Sequence, residues 1–297
     1  MGHAQNIDAI TGCTVILPSN EAVAGVDVRG SAPGTREIEL LYPVRLVSKI
    51  NAILLSGGSA FGLDAAGGVQ QFLEEQEIGY DTDIVRVPIV PAAVIYDLAV
   101  GDPKIRPGKK MGYVAAKNAT INETSQGSVG AGTGATVGKF AGYQHSMKGG
   151  IGSCSSSIDD NIIIGVIVVV NALGNIIDPV SNQTIAGAIN AENGGFFDPI
   201  EYLRNNNIQA FTNLTNTTLG VVATNADLSK EEATKISQMA NDGLARAIKP
   251  AHTQFDGDII FTLSTGSQKR INPLLLGTLA AELIAKAIIK GVTRANQ

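Results

Sequence analysis

Short apolar runs rich in β-branched residues alternate along this chain with stretches whose apolar positions recur every three to four residues. The first kind predicts buried strands and the second predicts amphipathic helices. CTVIL (13–17), AGVDVRG (24–30) and AILLS (52–56) read as strands, and AILLS leads through a glycine-rich turn into the helix-like GGSAFGLDAAGGVQQFLEEQ. VRVPIVPAAVIYDL (85–98) is β-branched but broken by prolines, which predicts edge or irregular strands. PGKKMGYVAAKNA (107–119) reads as a helix, and the glycines of QGSVGAGTGATVGKF (126–140) read as a strand pair in which backbone approaches backbone. The most apolar run, IIIGVIVVV (162–170), predicts a strand buried on both faces and ends at Asn171.

The clearest helix follows residue 228. Ser229 and Glu232 make a capping box, and Ala233, Ile236, Met239, Ala240 and Leu244 then recur at helical spacing. DGDIIFTLS (256–264) reads as a strand, and a last apolar helix runs from Pro273 to about Val292. No fixed-period repeat or linker divides the chain, so a single α/β domain over 1–297, with helices covering sheets, is expected.

Composition narrows the function classes. Apolar residues make up 44% and charged residues 16%, enough for one large core. A net charge of −5 without any long basic run argues against a nucleic-acid partner. The longest apolar run is far short of a membrane span, and MGHAQNIDAI lacks the basic-then-apolar pattern of a signal peptide. Two cysteines, Cys13 and Cys154, make no disulfide framework, with Cys154 expected in a loop; no membrane association and a cytoplasmic location are expected.

Familiar catalytic patterns fail. Gly130, Gly132 and Ala135 fit G-x-G-x-x-A, but no clean strand precedes them and no helix clearly follows. Thr133 and Phe140 break a P-loop, and Phe61 stands where a nucleophile elbow around Ser59 needs glycine. His3, His145 and His252 are not spaced as metal ligands, so neither a metal nor a cofactor is expected. What remains is polar residues at strand ends. Asn171 closes the apolar run, and it either caps a turn or points a carboxamide into a site. Asp256 and Asp258 flank a glycine: either a solvated Asp-Gly turn, or two carboxylates on one strand face that need a cation or a shared proton. Lys139 ends an otherwise small and apolar run.

The stretch NTTLGVVA, from Asn216, links these residues if the chain cuts itself before Thr217. Thr217 Oγ would attack the Asn216 carbonyl, and the new α-amine, with a reference pKa of about 7.7–8.0, would serve as base for its own hydroxyl. Asn171 could then donate to the oxyanion, Lys139 stabilise negative charge, and Asp256 and Asp258 orient the amine.

In TGCTVILP, GVDVRGSAPGTRE, LSGGSAFGLDAAGGV, VPIVPAAVIYDL, GAGTGATVGK, VVVNALG, NTTLGVVATNA and HTQFDGDIIF the chain resembles the self-cleaving hydrolases that include the L-aminopeptidase/D-esterase, the β-aminopeptidases and the 6-aminohexanoate-oligomer (nylon oligomer) endohydrolase. The resemblance spans nearly the whole chain. It implies a four-layer α/β/β/α sandwich, a cut into residues 1–216 and 217–297, and oligomers, commonly tetramers, of cleaved protomers. It implies Thr217 as nucleophile, Asn216 as the last residue of the larger fragment, Lys139, Asn171, Asp256 and Asp258 as catalytic partners, and Tyr96 at the substrate. Asn216-Thr217 matches the nylon-oligomer branch, whereas the aminopeptidase branch cuts before serine. The implied substrates are small peptides, β-aminoacyl amides or 6-aminohexanoate oligomers. Alternatives are an L-aminopeptidase/D-esterase-type exopeptidase, an acyltransferase of the ornithine acetyltransferase type, and an oligomeric binding protein on the same fold. The pocket walls are expected from segments such as 186–215.

Overall fold

The computed structural model describes residues 1–159, 161–192, 194–206 and 215–297. Of the segment expected to wall the pocket, residues 193 and 207–214 lie outside the described residues. In chain order the elements used below are β1 (Gly2–Asn6), β2 (Thr11–Ile16), β3 (Ala22–Val28), β4 (Thr35–Arg36), β5 (Lys49–Ile50), β6 (Ile53–Ser56), α1 (Ala65–Glu74), β7 (Ala92–Val94), α2 (Lys109–Lys117), β8 (Gly150–Ser157), β9 (Ile163–Asn171), β10 (Thr217–Asp227), α3 (Lys230–Ala247), β11 (Ile259–Arg270) and α4 (Pro273–Ala295).

Two sheets carry the fold. A five-stranded sheet has the order β1-β2-β6-β7-β4, and a six-stranded sheet has the order β8-β9-β10-β11-β3-β5. Three apolar clusters mark the spaces between layers. Val69, Leu73, Ala115 and Ala116 of α1 and α2 pack on Val15 and Leu54 of the first sheet. Ile53 and Leu55 face Val169, Leu219, Val221 and Phe261 across the sheet-sheet space. Val168, Val222 and Ile260 meet Ile236, Leu244, Ile284 and Ile288 of α3 and α4 on the far side. The result is the four-layer α/β/β/α sandwich that the resemblance implies. β9 needs its unbroken apolar run because one face meets the other sheet and the other meets a helix. Each such side chain, once buried, stabilises the fold by roughly 1.5–3 kcal/mol.

α3 starts where the sequence marks it: the Ser229 side chain accepts from Glu232 N–H while the Glu232 carboxylate accepts from Ser229 N–H. Among the described residues no helix is long and apolar enough to cross a membrane.

Four expectations need correction. Residues 126–140 are not a strand pair but a 3-10 turn (Gly130–Gly132), a two-residue strand (Thr136–Val137) and the start of a second 3-10 turn (Lys139–Ala141). Gly130 and Gly138 have φ of 54° and 73°, left-handed values that interrupt a strand. Cys154 lies in β8, paired with Val166, rather than in a loop. β8 is an edge strand, where a row of small polar residues is well tolerated. β7, from the proline-broken run, is short but paired on both sides, to β6 and β4, because Pro88 and Pro91 fall just before it. Finally, Asp256 and Asp258 precede β11 instead of sharing a strand face, and neither is a solvated turn acid: both are 2% exposed.

Candidate active site

The topology of the six-stranded sheet gathers the strand-end residues. β9 runs antiparallel to β10 in the register Asn171↔Thr217 and Val170↔Thr218, and β10 runs parallel to β11 from Leu219↔Ile259 onward. The C-terminal end of β9 and the N-terminal ends of β10 and β11 therefore share one end of the sheet. Asn171, Thr217 and the Asp256–Asp258 turn come together there although up to 87 residues separate them in the chain.

Thr217 is 4% exposed, and its hydroxyl donates to the Asn216 carbonyl oxygen at 2.5 Å. The same oxygen accepts from Gly257 N–H at 2.8 Å. Only glycine fits at 257: a Cβ there would stand 2.7 Å from Thr217 Oγ1 and 2.6 Å from the Ala32 carbonyl oxygen. Asp258 anchors the next residue, accepting from Thr218 N–H at 2.7 Å, and its other oxygen accepts from His252 N–H at 3.1 Å and bonds His252 Nδ1 at 2.9 Å. Burial opposes the charged imidazole, but the Asp258 carboxylate outweighs it and raises the His252 pKa. Asp256 turns back on its own loop instead, accepting from Thr253 N–H at 2.8 Å and from the Thr253 hydroxyl at 2.5 Å. Burial, with the nearby Asp258 charge, pushes the Asp256 carboxyl up to about 6.

Lys139 is wholly buried. Gly138 turns the chain inward just before it, packed so closely that a Cβ would lie 2.1 Å from Ala188 N. Phe140 seats the turn in a small apolar cluster with Leu173 and Phe255. The Lys139 ammonium donates to Asn171 Oδ1 at 2.7 Å and to the Asn171 carbonyl at 3.2 Å. Asn171 Oδ1 also accepts from Thr136 N–H at 3.0 Å, and its Nδ2 donates to the Tyr96 carbonyl at 3.1 Å. In this state, then, the Asn171 carboxamide is spent on holding Lys139 and Tyr96 in place. Burial draws Lys139 down to about 7, and the carboxylates of Asp256, Asp97 and Asp258 keep it from falling further. A lysine so placed exchanges its proton near neutrality, which a surface lysine does not.

A cleft of about 140 Å³ opens onto Thr217, with Pro33, Ala60, Ile95 and Tyr96 in its walls and Thr215 and Asn216 at its base. Larger clefts among the described residues, of about 290 to 450 Å³, touch none of these site residues. Among the described residues no group of three His, Cys, Asp or Glu could hold a metal ion.

Over residues 1–297 the sequence matches peptidase family S58. The chain belongs to that family. It is 38% identical over 323 residues to an uncharacterised aminopeptidase of Mycobacterium tuberculosis, covering 100% of this chain and 92% of the relative. It is 30% identical over 305 residues to a 6-aminohexanoate-oligomer endohydrolase of Agromyces sp., covering 98% and 82%. Among solved structures it matches a Burkholderia sp. β-aminopeptidase with a TM-score of 0.70 at 22% identity, covering 99% of this chain and 83% of the other. It also matches the L-aminopeptidase D-Ala-esterase/amidase of Ochrobactrum anthropi, described as a variant of the Ntn-hydrolase fold, with a TM-score of 0.67 at 16% identity over 99% and 88%. As a member of family S58, the protein is a hydrolase of amide or peptide bonds rather than a binding scaffold.

The structure brings Thr217, Asn216, Lys139, Asn171, Asp256 and Asp258 together, with Tyr96 in the cleft wall. It adds partners that the sequence reading passed over in this S58 chain. Asp97 is buried and takes the Thr11 hydroxyl at 2.7 Å and Gly58 N–H at 2.7 Å; burial raises its pKa, opposed by those hydrogen bonds and, less, by the Lys139 charge. Its only sequence signal is that it adjoins Tyr96 in IYDL. His252, excluded above only as a metal ligand, bonds Asp258, and its place six residues before Asp258 is the available clue. The Gly257 N–H carries no residue-type signature.

Proposed function

We propose that this chain is an autoprocessed N-terminal-threonine amidohydrolase that cuts itself between Asn216 and Thr217 and then works through an acyl-enzyme on Thr217. One observation carries the reading: the Thr217 hydroxyl and the Gly257 N–H converge on the oxygen of the Asn216–Thr217 peptide. A hydroxyl so placed is beside the carbonyl carbon, and a fixed N–H stabilises charge that develops on the oxygen. In the cut, the Thr217 Oγ–carbonyl bond forms, the C–N bond breaks, and the hydroxyl proton passes to the departing nitrogen. Lys139, titrating at about 7, is the group suited to relay it. Water then adds to the ester, releasing Asn216 as a carboxylic acid that ionises and restoring the hydroxyl. In turnover the freed Thr217 amine is the base, Gly257 N–H holds the acyl oxygen, and Asn171 and Asp258 position Lys139 and the start of β10.

By the resemblance, the substrates come from among small peptides, β-aminoacyl amides and 6-aminohexanoate oligomers; the aminopeptidase relative at 38% identity favours an exopeptidase as the second reading. Fragments 1–216 and 217–297 form one domain and stay associated, since β10 and β11 lie between β9 and β3 of the larger fragment. By resemblance to the self-cleaving hydrolases, the cleaved protomers assemble as homotetramers, which light scattering would check; the two unpaired cysteines support a cytoplasmic location. Intact-mass measurement on active protein tests the cut: two masses are expected. Thr217→Ala is expected to abolish both cutting and hydrolysis, and a fully active, uncut chain would sink the reading.

A further inference from the structure

In the uncut chain Asn216 forms an isolated parallel bridge with Asp256. Its N–H donates to the Phe255 carbonyl at 3.1 Å, and its carbonyl accepts from Gly257 N–H at 2.8 Å. The residue is 2% exposed, yet both Oδ1 and Nδ2 of its carboxamide are buried with no hydrogen-bond partner among the described residues.

We infer that the place filled by Asn216 is the acyl subsite of the mature enzyme, and that it selects an L-α-aminoacyl unit with an uncharged, leucine-sized side chain. This rests on the proposed role of Thr217. The same Oγ must reach the carbonyl carbon in the self-cut and in every later turnover, so the substrate carbonyl takes the place of the Asn216 carbonyl, on Gly257 N–H. The Phe255 carbonyl then asks for a donor one carbon away from that carbonyl group. An α-aminoacyl unit carries its nitrogen there, whether as a terminal ammonium or an internal amide. A β-alanyl nitrogen lies one methylene further off and a 6-aminohexanoyl nitrogen four, so both leave the Phe255 oxygen unmet in a closed site.

The side-chain choice follows from the stranded carboxamide. Leucine has nearly the shape of asparagine without its polar atoms, so it fills the same space without leaving donors and acceptors unpaired.

The test uses self-cut protein, verified by mass, and compares kcat/KM for the p-nitroanilides of L-leucine, L-asparagine, β-alanine and 6-aminohexanoic acid. The leucyl compound is expected to exceed each of the others by about tenfold or more, the discrimination of a site that leaves a buried polar group unpaired. Asparaginyl turnover equal to leucyl would overturn the side-chain preference. β-Alanyl or 6-aminohexanoyl turnover matching leucyl, by protein that has cut itself, would overturn the subsite while leaving the nucleophile standing. Protein that neither cuts itself nor turns over any of the four would overturn both.

Discussion

Among the described residues two lysines are sunk into the protein, and they differ in what surrounds them. Lys230, at the start of α3, sends its ammonium to the carbonyls of Leu40, Tyr42 and Arg45 at 3.0, 3.4 and 3.0 Å. Lys139 faces the Asn171 carboxamide and carbonyl, with three acidic side chains in range. Burial lowers the pKa of both, but Lys139 alone is wholly enclosed and brought to about 7. Backbone carbonyls around Lys230 make a clip that pins residues 40–45 to α3. Groups that can themselves move a proton or a charge make Lys139 reactive. A buried lysine is therefore not a functional signal until its neighbours are known.

The comparison can be broken most sharply at Lys139. Lys139→Met should slow self-cutting, followed by mass against time, by about 10²–10⁴-fold, the usual range for loss of a proton-transferring group. If the variant cuts at the parental rate, Lys139 is no more than a second clip. Next in size is the pH response. The neutral amine of Lys139 grows as pH rises through about 7, so the rate of cutting should climb there and level off above it. The linkage sign agrees. The unfolded lysine, near 10.5, holds its proton where the folded one does not, so stability should rise with pH between about 7 and 10.5, a slope that Lys139→Met should lack in denaturant titrations.

Asp97→Asn gives a smaller change of known direction. Removing one negative neighbour disfavours the ammonium, so Lys139 should titrate lower and the acid limb of the cutting profile should move to lower pH. An unmoved limb would separate Asp97 from the site. The smallest effect belongs to Lys230→Met, which should cost about 1–2 kcal/mol in urea unfolding through loss of its carbonyl bonds, with cutting and hydrolysis unchanged.

Much of the fold was legible because its layers impose simple periodicities. The unbroken β-branched run before Asn171 had to be a doubly covered strand, and the Ser229–Glu232 box marked α3 to the residue. The gathering of Thr217, Asn171, Lys139 and the Asp256–Asp258 pair was legible for a related reason: polar residues at the ends of apolar strands have few other places to go. What escaped had no local signature. The Gly257 N–H is backbone, Asp97 reaches Lys139 only through the tertiary fold, and Asp256 lies just before β11 with its side chain bonded to Thr253. The glycines of 126–140 also misled, because left-handed φ and close packing ask for the same residue type as a tight strand pair.

The register Asn171↔Thr217 has a consequence for the timing of activity. The Lys139 amine, the Gly257 N–H and the Thr217 hydroxyl meet only once β9, β10 and the turn before β11 have docked, whereas a partly assembled chain leaves them apart. On the proposed cut, the nucleophile is thus released only in molecules that have already built the whole sandwich. The break in the chain becomes a stamp of inspection: a nascent or misfolded copy carries an inert internal threonine and cannot hydrolyse its surroundings before it is finished.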